Sequence, residues 1–259
     1  MAKVLEYSAK KNCPGIPFKM LRHEAPKTIN RKTCFASNNL KLQKWVSILD
    51  SVNDDIIFLD CDMVILRDLS MAFDDPDFDI GITTLESATE RLPFNGGTVI
   101  VRNNEKARAF MRKWLEIDCR MYKDENFHYK YREKYAGMNQ ASLGYLFEHM
   151  KEHGAKIKHF DCHEWNHCRD NWKISDNGMG PRILHIKSQT RKNVFLPTPI
   201  ILLDQKVRKA VQIWRQLADE AGAQVFPPEA LEAMGEFQNG AYIFNTNRKN
   251  EITHRKVGV

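Results

Sequence analysis

The sequence predicts an α/β fold with a mixed, mainly parallel sheet. The run Ile56-Ile57-Phe58-Leu59 is apolar throughout and stops at Asp60, the pattern of a strand buried on both faces. Segments of helical and of strand character alternate along the chain, as in layered α/β proteins. A composition of 42% hydrophobic and 28% charged residues over 259 positions suits one large domain, or a domain with a modest C-terminal addition.

The elements follow in order. Residues 1–12 read as a helix with Val4, Leu5 and Ala9 on one face, stopped by Cys13-Pro14-Gly15, and residues 16–21 as a short strand. Residues 39–49 form an amphipathic helix that turns Leu40, Trp45, Ile48 and Leu49 inward. After the strand before Asp60, further strands are expected at 78–85 and 98–102. Asn104 caps a helix to Cys119, with Phe110 and Trp114 paired four apart. Residues 122–135, charged and aromatic, read as a loop or a loose helix, and Asn139 caps a helix through Met150 that Gly154 closes. Strands at 157–160 and 183–186 and helices at 207–221 and 228–234 complete the chain. No internal repeat or low-complexity stretch interrupts it.

The chemistry concentrates at Asp60-Cys61-Asp62. Ligands of open α/β sheets collect beyond the carboxyl ends of the strands, where this pair would lie. Two carboxylates there suit a hard divalent cation such as Mg²⁺ or Mn²⁺, and a bound phosphate would complete the oxygen shell. The plainer reading is a strand-end turn. A net charge of +6 favours an anionic ligand such as a nucleotide diphosphate, an acidic membrane face or a nucleic acid. Lys and Arg are scattered except in Asn247-Arg248-Lys249-Asn250 and His254-Arg255-Lys256, a basic tail that could touch a membrane surface; no specific nucleic-acid contact is expected. Six dispersed cysteines make no disulfide scaffold, no apolar run approaches the roughly 20 residues needed to span a bilayer, and no signal-peptide core opens the chain. The expected location is cytoplasmic.

Four more segments share a theme: Asn38-Asn39-Leu40-Lys41, Phe94-Asn95-Gly96-Gly97-Thr98-Val99-Ile100-Val101, Met138-Asn139-Gln140-Ala141-Ser142-Leu143 and Ile183-Leu184-His185-Ile186-Lys187. With the D-x-D strand, their order and spacing resemble the GT-A-fold glycosyltransferases, especially the glycogenin-like and bacterial galactosyltransferase-like group, across about residues 3–187. The resemblance implies a metal-dependent transfer of a hexose from a nucleotide-diphosphate sugar, most simply a UDP-sugar, to a glycan, lipid or protein acceptor. It implies Mn²⁺ (or Mg²⁺) on Asp60, Asp62 and His185, with donor contacts from Asn95, Gly96, Gly97, Asn139 and Gln140. Gln140 would face the reacting carbon as a neutral polar group, and Asp62 would share the catalytic role through the metal. Lys41, Lys187 and Arg191 are the expected phosphate contacts, and a Trp/Tyr-Asn pair nominates Trp165 and Asn166 as sugar or acceptor contacts. Residues 1–203 would form the catalytic domain and 204–259 a C-terminal helical extension with the basic tail.

The pattern also departs from that family. Its usual first strand has no counterpart before the helix at 1–12, so the expected fold lacks that strand. The G-x-x-K-P-W that usually follows the late His is replaced by Ser188-Gln189-Thr190-Arg191-Lys192. Two other functions fit parts of the sequence: a catalytically silent GT-A-like binding module, and a phosphatase of the haloacid-dehalogenase type using the same D-x-D. Cys162-His163-Glu164-Trp165-Asn166-His167-Cys168 holds several soft ligands, yet its spacing is not that of paired zinc ligands.

Overall fold

A computed structural model describes residues 1–22, 28, 30–85, 93–149, 154–170, 172–174, 180–223, 225, 237–238 and 241–242. In chain order they form α1 (Ala2–Asn12), α2 (Arg31–Leu49), β1 (Ile56–Leu59), β2 (Met63–Ile65), β3 (Ile80–Thr84), β4 (Phe94–Val101) and α3 (Glu105–Lys123). Next come α4 (Glu125–Tyr135), α5 (Asn139–Glu148), β5 (Ile157–Asp161), α6 (Cys162–Trp165), β6 (Ile183–His185), α7 (Ser188–Val194), α8 (Gln205–Glu220) and a short tail ladder of β7 (Phe237–Gln238) with β8 (Ala241–Tyr242). The chain divides into two compact units. The sheet unit comprises Lys19–Asp60 and Leu69–Asn166; the strand-pair unit comprises Met1–Phe18, Cys61–Asp68 and His167–Val259. No described helix is long and apolar enough to cross a membrane.

In the sheet unit the strand order is β1-β4-β3-β5. β3 and β5 pair in parallel, while β4 runs antiparallel to both β1 and β3, so three strands share a direction and β4 opposes them. All eight residues of β4 are buried, as its apolar and small side chains require of a strand paired on both edges. The core joins Leu42, Trp45 and Leu49 of α2 to Phe110, Trp114 and Met121 of α3 and to Ile80, Ile82 and Val99 of the sheet. Gly81 is needed for packing, since a Cβ there would sit 2.5 Å from the Phe160 ring.

β4 carries a bulge that positions the Asn95-Gly96-Gly97 segment. Ile82 pairs with Val99 but Thr83 pairs with Asn95, so Gly96, Gly97 and Thr98 leave the β3 ladder. Thr98 keeps its place opposite Leu59 of β1, and the Asp60 N–H donates to the Gly97 carbonyl at 2.9 Å. The Asn95 side chain holds the bulge from inside by accepting from the Gly97 N–H at 2.9 Å.

In the strand-pair unit, β2 and β6 pair antiparallel, with Met63 opposite His185 and Val64 opposite Leu184. Val64, Leu184, Ile186, Val207, Val211 and Trp214 share one core with Val4 of α1. α1 is fixed by polar contacts as well: Ser8 Oγ accepts from the Ile65 N–H at 3.0 Å, and Asn12 Nδ2 donates to the Ile65 carbonyl at 2.8 Å. Buried Arg215 of α8 gathers the carbonyls of Asn193, Leu196 and Thr198, satisfying a loop that has no ladder of its own.

Several expectations need correction. Residues 16–21 form no strand; Pro17 lacks an N–H and the segment gains no ladder partner. α2 starts at Arg31, eight residues before the expected Asn39, because Asn30 and Thr33 form a reciprocal capping box that recruits a largely polar first half. β4 starts at Phe94 rather than Thr98, and residues 125–135 are a regular helix capped by Asp124. Asn104 caps α3 as expected, accepting from the Ala107 N–H. Asn139 does not cap α5: Met138 occupies the cap and Asn139 is already helical, and the helix ends at Glu148, well before Gly154. The helix expected at 228–234 lies outside the described residues.

Candidate functional site

The β2–β6 ladder brings Asp62 to the late histidine. The Ile186 N–H donates to the Asp62 carbonyl at 2.8 Å, and His185 Nε2 lies 3.2 Å from Asp62 Oδ1. His167 supports the other side: its N–H donates to the Ile183 carbonyl, and its own carbonyl accepts from the His185 N–H, both at 2.9 Å. The His185 side chain is fully buried, so its ring is fixed by packing. Arg191 of α7 forms an ion pair with the second Asp62 oxygen, while its Nε donates to the Ile186 carbonyl at 3.0 Å. α7 begins at Ser188 with φ +48°, a left-handed backbone for a residue that carries a side chain. Lys187 is the residue that precedes this helix, with a half-buried side chain.

In the sheet unit Lys41 Nζ donates to Asp60 Oδ1 at 2.7 Å and lies 4.7 Å from the Trp45 ring centroid. Within the strand-pair unit, Asp62 and His185 offer a carboxylate and an imidazole that could hold a metal ion. Carboxylate oxygens suit a hard divalent ion, and each acid of the D-x-D is paired within its own unit, Asp60 with Lys41 and Asp62 with Arg191.

Most of the neutral site residues converge on the bulge. Asn166, fully buried, donates to Thr83 Oγ1 at 2.9 Å and to the Asn95 carbonyl at 3.3 Å. The Trp165 carbonyl accepts from Thr98 Oγ1 at 3.1 Å, and its ring packs edge-on to Phe160. Trp165 and Asn166 thus brace the bulge from behind. Gln140 Nε2 reaches the carbonyls of Phe94 and Ala136, both at 3.2 Å, and a Cβ on Gly96 would meet its side chain at 3.9 Å. Asn139 is buried with its Nδ2 lacking a hydrogen-bond partner, a cost that a ligand acceptor would relieve.

Asp118 is the residue the sequence reading missed. Its carboxylate accepts from Ser142 Oγ at 2.7 Å and from Asn39 Nδ2 at 2.8 Å, and the Trp114 indole donates to Ser142 Oγ and to the Asn139 carbonyl at 3.1 Å each. One buried acid therefore links α2, α3 and α5 beneath Asn139. Burial pushes its carboxyl up from the ordinary range, against the lowering effect of the hydrogen bonds from Ser142 and Asn39. The signal was present: an Asp within the apolar stripe of Phe110, Trp114, Ile117 and Met121.

Residues 26–193, more than half of the chain, match the family model for nucleotide-diphospho-sugar transferases. The chain belongs to that family. The matched segment of this glycosyltransferase contains both acids of the D-x-D, the bulge, Asn139, Gln140, His185 and Arg191, and its mixed α/β architecture is GT-A-like. No curated protein matches the transferase. Among solved structures it is similar to a glycosyltransferase involved in the glycosylation of the major capsid of PBCV-1, at 13% identity and TM-score 0.48 over 74% of this chain and 89% of that one. It is also similar to the glycosyltransferase GlyE of Streptococcus pneumoniae TIGR4, at 14% identity and TM-score 0.49 over 95% of this chain, and to its apo form at 15% and 0.48 over 85%. The transferase spans 62% and 59% of those two GlyE chains. The family assignment rests on the matched residues.

Proposed function

We propose that the chain transfers a hexose from a nucleotide-diphosphate sugar to an acceptor hydroxyl in a reaction dependent on a divalent ion, Mn²⁺ or Mg²⁺. The observation that carries this is Asp62, held between the buried imidazole of His185 at 3.2 Å and the guanidinium of Arg191. A cation held at Asp62 and His185 would supply Lewis-acid stabilisation to a departing diphosphate. Arg191 would add fixed positive charge for the phosphates, and Lys41 of the sheet unit is a further candidate. The donor sugar belongs against the Gly96-Gly97 bulge, where no side chain blocks the backbone, with the unspent Asn139 amide and the Gln140 amide as hydroxyl contacts. Residues 1–203 would serve as the catalytic domain, with 204–259 as its C-terminal addition, and a UDP-sugar is the first donor to test.

Hydrolysis of UDP-hexoses by the full chain, followed with Mn²⁺ and with chelator, tests the reading. Turnover should require the ion and be lost in Asp62→Ala. Turnover indifferent to chelator, or retained in that variant, refutes the metal role.

A further inference from the structure

The strand-pair unit contains a cavity of about 530 Å³ that none of the donor contacts above explains. We propose that it binds the acceptor, and that the acceptor is a saccharide bearing a phosphate or carboxylate group. This inference rests on the transferase reading, which requires a second substrate.

The volume falls within the range of small-molecule sites. Its floor includes Leu184 and the buried rings of His167 and His185, so an occupant would lie against a proposed metal ligand. Yet the lining includes none of Asp60, Asp62, Asn95, Gly96, Gly97, Asn139 or Gln140. A cavity that touches His185 while its lining holds none of those donor contacts suits the other reactant.

Charge gives the chemical class. Lys173, Lys206 and Lys209 are exposed lining residues, joined by half-buried Arg169. Asp170 is the one acid among the described lining residues, and it is already committed: it accepts from the N–H groups of Gln189 and Thr190 and from Thr190 Oγ1 at 2.7 Å, holding the start of α7. Against that one carboxylate the described lining carries four cationic side chains, a net positive field. Trp172, packed edge-on to His167 with centroids 5.2 Å apart, adds an aromatic wall suited to the apolar face of a sugar ring. An excess of cationic over acidic side chains among the described lining residues, led by exposed Lys173 and Lys206, and an aromatic wall favour an oxyanion-bearing sugar over a neutral one.

Calorimetric titration of the full chain with glucose 6-phosphate, glucuronate, glucose and UDP tests this. At least one charged sugar should bind, glucose should be weaker by about tenfold or more, and affinity for the charged sugar should fall with added salt. The tighter of the two charged sugars identifies phosphate or carboxylate as the recognised group. Lys173→Gln with Lys206→Gln, exposed changes that leave the core intact, should weaken that binding by about tenfold or more, and UDP should not displace the bound sugar. Absence of binding by both charged sugars, equal binding of glucose, unchanged affinity in the double variant, or displacement by UDP would each overturn the proposal. Donor hydrolysis by the unaltered chain is a separate readout, so loss of the transferase reading is distinguishable from loss of this one.

Discussion

Two groups of polar residues in this molecule are built on opposite principles. Around Asp62 full charges dominate: its carboxylate meets the Arg191 guanidinium and the buried His185 ring, the histidine fixed by a three-residue strand pair. Around the β4 bulge the partners are neutral: amides of Asn95, Asn166 and Gln140 and hydroxyls of Thr83 and Thr98, tied mostly to backbone. Full charges suit a diphosphate and its counter-ion, whereas neutral dipoles suit sugar hydroxyls, which gain no more from a charge than they cost it in desolvation. On the proposed function, the contrast would separate the two halves of a nucleotide-sugar by chemistry as well as by position in the sequence.

The strongest attack on the ionic group is His185→Gln. It should lower Mn²⁺ affinity and ion-dependent donor hydrolysis by about 100-fold, measured by metal titration and initial rates. Gly96→Ala probes the neutral group. Its new methyl would meet the Trp114 ring at an ordinary 3.7 Å, so melting should be little changed, while donor hydrolysis falls by about tenfold if the sugar approaches the backbone there. A variant that keeps full activity would remove the bulge from the donor site.

Asp118 is an ionisable exception beneath the neutral group, and pH probes it. Burial raises its carboxyl, so the folded chain retains a proton that the unfolded chain releases. Its contribution is complete below the ordinary carboxylate range and is lost as pH rises from that range through the raised value. Asp118→Asn should therefore gain stability relative to the parent from acid to neutral pH, read as urea midpoints across a pH series. The smallest effect is expected at Ser188, where a left-handed φ of +48° burdens a side-chain-bearing residue. Ser188→Gly should stabilise by about 0.5–1 kcal/mol, visible as a small rise in melting temperature.

The α/β alternation, the D-x-D strand and the late strand ending in His185 were legible because apolar runs and their punctuation are local signals. The ordered motifs also pointed to the family that residues 26–193 match. The early start of α2 was hidden because a capping box at Asn30 and Thr33 outweighs a polar stretch with little periodicity. The bulge could not be read either: Asn-Gly-Gly is equally good turn chemistry, and only pairing with two neighbouring strands makes it part of β4. Asp118 required knowing that Ser142 and Asn39, distant in sequence, converge on one helix face. Long-range convergence of polar groups leaves no periodic trace.

The bulge has a consequence for inheritance. β4 keeps step with β1 through Thr98 while losing step with β3 between Asn95 and Val99. Val99, Ile100 and Val101 pair on both edges, so removing a single residue from that interval would shift Phe94 and Asn95 against Thr84 and Thr83 or break the Asp60–Gly97 bond. Substitutions there can be absorbed one at a time, but the number of residues cannot drift.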